Sequence, residues 1–182
     1  MSPPYDPRSV ANLLLDCNRE KVLPPTNLAL QKLLYFAHGL FLLRWKQPLI
    51  MGHFEAWQYG PVNRATYQAF KSAGSAPIRF RATGVDLISG EPVNLSVPED
   101  PRVIAISEQV MDSYGRMTPG RLVEISHAKH APWDHIVRKG RTSLTFGFRI
   151  PDSVILERFA NHKISVSADP KLGEPSEDSP LA

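Results

Sequence analysis

Residues 27–45, Asn-Leu-Ala-Leu-Gln-Lys-Leu-Leu-Tyr-Phe-Ala-His-Gly-Leu-Phe-Leu-Leu-Arg-Trp, limit the folds open to this chain more than any other stretch. Leu30, Leu33, Leu34, Ala37, Leu40 and Phe41 recur at helical spacing. Leu28, Tyr35, Phe36, Leu42 and Leu43 widen that stripe until almost no polar face is left. A helix apolar nearly all round must be covered on several sides, by lipid or by other elements of the fold. Gln31, Lys32, His38 and Arg44 interrupt the run and make it a poor membrane span. The expected architecture is therefore mainly α: a compact helical domain around a central buried helix. Thr26 offers the N-cap, and Gln47-Pro48 stops the helix.

The rest of the chain supplies a shell for that helix. Helices are predicted over Arg8–Arg19, Asn63–Ser72, Pro101–Tyr114, Pro119–Ser126, Trp133–Arg138 and from Pro151-Asp152 to about Ala160. Asp100-Pro101 and Thr118-Pro119 place proline where a helix begins. Phe54–Gln58 reads as a short extended piece. It ends at Gly60-Pro61, a breaker that restricts Gly60 to a non-helical conformation. Val85–Leu95 reads as two short strands around Ser89-Gly90, a small β-hairpin excursion within residues 78–97. Residues 1–7, with three prolines, are expected to be a flexible lead and residues 8–163 the helical domain. Residues 164–182 carry Asp169, Glu174, Glu177 and Asp178 against Lys171 and are expected to form a disordered acidic tail.

Several function classes are disfavoured. Net charge is +3 over 182 residues, with a sequence pI near 9.1. The basic residues are scattered, the densest group being Arg138, Lys139 and Arg141, so nucleic acid is not an expected partner. The single cysteine, Cys17, permits no intramolecular disulfide and suits a reducing cytoplasm. The first residues hold no signal-peptide core, and no membrane association is expected. Gly115 and Gly120 lack the lysine of a phosphate-binding loop. Cys17 with His127 is the one arithmetic nucleophile–base pair, and a cysteine among leucines is ordinarily an inert core residue. His127, His130 and His135 do not have the spacing of metal ligands on one helix face. The chain is read as a non-enzyme with no cofactor and no metal.

Three motifs remain: Leu30-Gln-Lys-Leu-Leu-Tyr-Phe-Ala-His-Gly39, Glu55-Ala-Trp-Gln-Tyr-Gly-Pro-Val62, and Leu122-Val-Glu-Ile-Ser-His127 followed by Pro132-Trp133. In this order and spacing they resemble the signature of the Panacea domain, a family of phage-associated and bacterial antitoxin-type proteins. The resemblance spans about Val10 to Ala160. It implies an antitoxin that neutralises a cognate toxin by direct binding. The alternative it implies is an adaptor that delivers the toxin to a Clp-type AAA+ protease, and the C-terminal Pro180-Leu181-Ala182 resembles the Leu-Ala-Ala ends such proteases recognise. A phage-associated protein with enzymatic or nucleic-acid-binding activity is a more distant alternative. Gln31, Tyr35, Trp57, Tyr59, Pro61, Val62, His127 and Trp133 are the candidate partner-binding residues. Two readings of the aromatics stand: they fill the core between helices, or they line a groove with His127 and Gln31. On either reading Trp57–Val62 should lie close to His127 and Trp133. Glu55 and Glu124 sit in apolar segments; if buried, they need a partner such as Lys32, Arg64 or His127.

Overall fold

A computed structural model describes residues 2–18, 23–140 and 148–162. It is mainly α. The helices are α1 (Pro7–Asp16), α2 (Asn27–Trp45), α3 (Arg64–Phe70), α4 (Pro101–Tyr114), α5 (Pro119–Ser126), α6 (Pro132–Gly140) and α7 (Asp152–Arg158). The strands are β1 (Phe54–Trp57), β2 (Gly60–Val62), β3 (Thr83–Val85), β4 (Pro92–Asn94) and β5 (Arg149–Ile150).

The caps follow from the local sequence. Thr26 accepts from Ala29 N at the start of α2, and Thr118 accepts from Arg121 N at the start of α5. Asp6, Asn63 and Asp100 cap α1, α3 and α4 in the same way. Each such cap satisfies an amide that the helix itself leaves open.

α2 has the bounds that its sequence predicts. Its residues from Asn27 to Gly39, with Phe41 and Leu42, are all buried, and it touches α1, α3, α4, α5, α7 and β2. Aromatic rings crowd its flanks: Tyr35 meets Phe36, Phe54 and Phe159, and Phe41 lies against Trp45. Fully burying one large apolar side chain contributes roughly 1.5–3 kcal/mol. No helix among the described residues is long and apolar enough to cross a membrane.

Three features depart from the sequence reading. The expected lead is tied down: Tyr5 is 5% exposed, bridges to Ile50, and exchanges backbone hydrogen bonds with Leu49 and Met51. A lone aromatic ring among prolines gains enough by burial to anchor its segment. Second, Gly60-Pro61 does not merely break the chain. It opens β2, which folds back on β1 through Gln58-Tyr59 with Glu55 opposite Val62, Ala56 opposite Pro61 and Trp57 opposite Gly60. Third, β5 pairs antiparallel with the other edge of β1, giving a three-stranded sheet in the order β2-β1-β5. Pro61 lies on the outer strand, where a missing donor is tolerated. The β3–β4 hairpin forms as the sequence suggests, with Val85 opposite Pro92. The first helix ends at Asp16, short of the expected Arg19, with Cys17 at its cap. Residues 163–182, including the expected acidic tail, lie outside the described residues.

Candidate functional site

The three sequence motifs meet at the β1–β2 hairpin. Lys32, on α2, is fully buried, and its Nζ donates to the carbonyl of Pro61 at 3.0 Å. One residue earlier, Gln31 uses both ends of its amide. Its Oε1 accepts from Asn63 N at 3.0 Å, and its Nε2 donates to Asn27 Oδ1 at 3.2 Å. Asn27 in turn donates to the carbonyl of Tyr67. Two adjacent polar residues of a largely apolar helix thus hold the backbone of β2 and the start of α3. This satisfies groups that would be costly to bury without partners.

Gly60 permits the approach. Its φ is +103°, a conformation rare for residues with a side chain. A Cβ there would lie 2.5 Å from Ser126 Oγ and 3.0 Å from Lys32 Cε. Ser126 donates to the carbonyl of Val123 at 2.8 Å and closes the C-terminal turn of α5 against the hairpin.

His127 caps α5 and stacks on Trp133, with ring centroids 3.7 Å apart and planes 12° from parallel. Trp133 Nε1 donates to the carbonyl of Trp57 at 2.8 Å. Trp57 Nε1 donates to Glu55 Oε2 at 2.8 Å, and its ring meets Tyr67 edge-on. The Glu55 carboxylate therefore serves an indole and not Lys32, Arg64 or His127. Glu124 faces solvent and pairs with Arg121.

Trp57–Val62, His127 and Trp133 thus form one junction. Tyr35 lies apart from it. It is fully buried, and its hydroxyl donates to His162 Nε2 at 3.0 Å, while His162 Nδ1 donates to the carbonyl of Ile125 at 2.9 Å. Of the eight candidate residues, Gln31, Tyr35, Trp57, Pro61 and Val62 are interior, whereas Tyr59, His127 and Trp133 keep accessible surface. The interior ones shape the backbone, and only the last three are available to a docking molecule in this conformation. The sequence offered Lys32 as a partner for Glu55, not for the Pro61 carbonyl, quoted Ser126 within a motif without a role, and did not single out His162. For Lys32 a signal existed: a lysine within a helix that has no polar face must either reach solvent or be given an acceptor.

His127 and His162 carry an electrostatic consequence. Burial, then the nearby Lys32 charge, holds His127 down to about 4, and Asp134 opposes this only partly. Burial also holds His162 down to about 4, against the opposing hydrogen bond to Ile125. Both are therefore neutral in the folded state at pH 7, while in the unfolded chain they titrate near the ordinary value of 6.5. The unfolded state binds more protons between those values, so stability is full above about pH 6.5 and falls as pH drops towards 4. Urea unfolding should lose on the order of 2–5 kcal/mol from pH 7 to pH 4 if both groups contribute. His162→Gln should flatten part of that slope, and an unchanged slope would show that His162 is not the group responsible.

His130, beside this region, stays outside the junction. His130 is exposed with φ +67°, its amide donating to Asp134 Oδ2, and no three His, Cys, Asp or Glu side chains among the described residues are grouped as metal ligands would be.

Comparison with known proteins places this arrangement in context. Residues 30–134 match the family described as antitoxin SocA-like, Panacea domain. These residues include the three motifs and most of the junction. The chain is 46% identical over 175 residues to a protein named Antitoxin SocA from Caulobacter vibrioides (strain NA1000 / CB15N), covering 96% of this chain and 93% of that protein. No solved structure matches.

Proposed function

The chain belongs to the SocA-like antitoxin family that carries the Panacea domain, and from that premise we propose that it neutralises a cognate toxin by direct protein–protein binding in the cytoplasm. The observation that carries this reading is identity of 46% to an antitoxin across nearly the whole of both chains. The geometry is consistent with a binding role: the polar residues of the junction hold backbone, and its histidine, His127, is neutral at pH 7. The accessible edge of the junction, Tyr59 with the stacked His127 and Trp133, is the proposed partner-facing surface. Partly buried aromatics over a fixed backbone are typical anchors of a protein interface. α2 is the proposed spine that holds this surface in place. Delivery to a Clp-type protease gains no support from the comparisons.

The experiment is a mixture of the purified chain with the product of the gene beside its own. The two proteins should co-elute at a defined ratio. Tyr59→Ala should weaken the complex while leaving the unfolding transition of the free chain nearly unchanged. Separate elution of two folded proteins would overturn the reading.

A further inference from the structure

We propose that the tip of the β3–β4 hairpin is a second docking element: a rigid apolar knob that seats Leu87 and Ile88 in an apolar cleft of the toxin rimmed by basic side chains. This rests on the antitoxin reading and adds a contact made by residues outside the junction. Leu87 and Ile88 are each 98% exposed, an unusual state for two adjacent aliphatic side chains. Four of the seven large hydrophobic residues exposed among those described, Val85, Leu87, Ile88 and Val93, belong to this one hairpin; Leu23, Met51 and Phe80 lie elsewhere. Val85, opposite Pro92, and Val93, opposite Gly84, lie on opposite faces of the hairpin, so the pair at the tip, Leu87 and Ile88, is the apolar feature that single exposed residues elsewhere do not match.

The tip is held in shape. The Asp86 carboxylate accepts from Ile88 N at 2.9 Å, Ser89 N at 2.8 Å and Ser89 Oγ at 3.1 Å. Gly90, at φ +73°, reverses the chain, its amide donating to Asp86 O while Asp86 N donates to Glu91 O. The base is clamped to α1: the Asn12 amide both donates to Ala82 O and accepts from Ala82 N at 2.9 Å. Little ordering remains to be done on binding, so apolar area at the tip converts more fully into affinity.

Charge selects the partner. Within the hairpin itself, from Thr83 to Asn94, the chain carries Asp86 and Glu91 and no lysine or arginine, and its arginine neighbours Arg8 and Arg81 lie at the base, away from the tip. An anionic membrane or a nucleic acid would be repelled by this segment, whereas a basic rim around an apolar cleft complements it.

The test uses the full chain with Leu87→Asp and Ile88→Asp together. The Leu87 and Ile88 side chains are 98% exposed, so the unfolding transition should match wild type closely. Affinity for the neighbouring gene's product should fall by roughly thirty-fold or more, the loss typical of an interface anchor. Glu91→Lys should slow association at low salt. Unchanged affinity of the double variant, with wild type binding tightly, would overturn the knob and leave the antitoxin reading intact. A wild-type chain that does not bind would overturn both. Co-sedimentation of wild type with anionic vesicles, abolished in the double variant, would assign the tip to a membrane and overturn the proposal.

Discussion

Gly60→Ala should destabilise the protein by roughly 2–6 kcal/mol, the sum of left-handed backbone strain and overpacking. The strain comes from φ of +103°, and the overpacking from a Cβ placed 2.5 Å from Ser126 Oγ and 3.0 Å from Lys32 Cε. Neither neighbour is a loose surface side chain. Ser126 is buried and bonded to Val123, and the Lys32 ammonium is bonded to the carbonyl of Pro61. Relief would have to come from the hairpin, which would move Trp57 O away from Trp133 Nε1 and unsettle the stacked pair. Gly52→Ala is the control. That glycine also has positive φ, +81°, but a Cβ there would find its nearest neighbour, Asn63 Nδ2, at 3.9 Å. It should suffer the strain without the overpacking. Equal losses at the two positions, read from urea unfolding, would mean that the close approach of β2 to α2 and α5 is not as described.

Leu34→Ala should lose about 2–5 kcal/mol, the usual range for a large-to-small change at a buried site. Leu34 is fully buried, and α2 is covered by helices on several sides. Surroundings fixed on several sides collapse poorly into a new cavity, which favours the upper half of that range. In thermal unfolding the change should lower the midpoint by several degrees. A loss below about 1 kcal/mol would place α2 at the periphery of the fold.

These two substitutions mark what the sequence made legible and what it did not. Leu34 follows from pattern: aliphatic residues around a whole helix have only one comfortable environment, and the bounds of α2 follow from Thr26 and Gln47-Pro48. The caps at Thr118 and Asp100 are equally local. Gly60 shows where pattern stops. Glycine before proline has the same sequence signature whether the chain simply breaks or turns back as a strand. The β1–β2 pairing is too short to show an alternation, and β5 pairs with β1 across more than ninety residues of sequence, Glu55 with Arg149 and Phe54 with Ile150. Tyr5 was hidden by its proline neighbours, since composition averages over the one ring that anchors the segment.

The site was legible as a convergence and not as a surface. Motif residues far apart in sequence pointed to one junction, and Trp133 does bond to Trp57. Which side chains face outward depends on the tertiary placement of each element. Tyr35 and Gln31 turned inward, and Lys32 became a support for the backbone of β2. The knob at Leu87-Ile88 escaped for the complementary reason. A Leu-Ile pair inside a predicted strand region is ordinarily core, and only the finished hairpin leaves both side chains in solvent.

The most direct test of antitoxin function is co-expression. The gene adjacent to this one should be induced in cells with and without this chain, and colony survival counted. The account predicts that the neighbouring gene kills alone, and that survival returns with the wild-type chain but falls again with Leu87→Asp/Ile88→Asp at equal protein level. Equal killing in the presence of abundant, folded wild-type chain would contradict it.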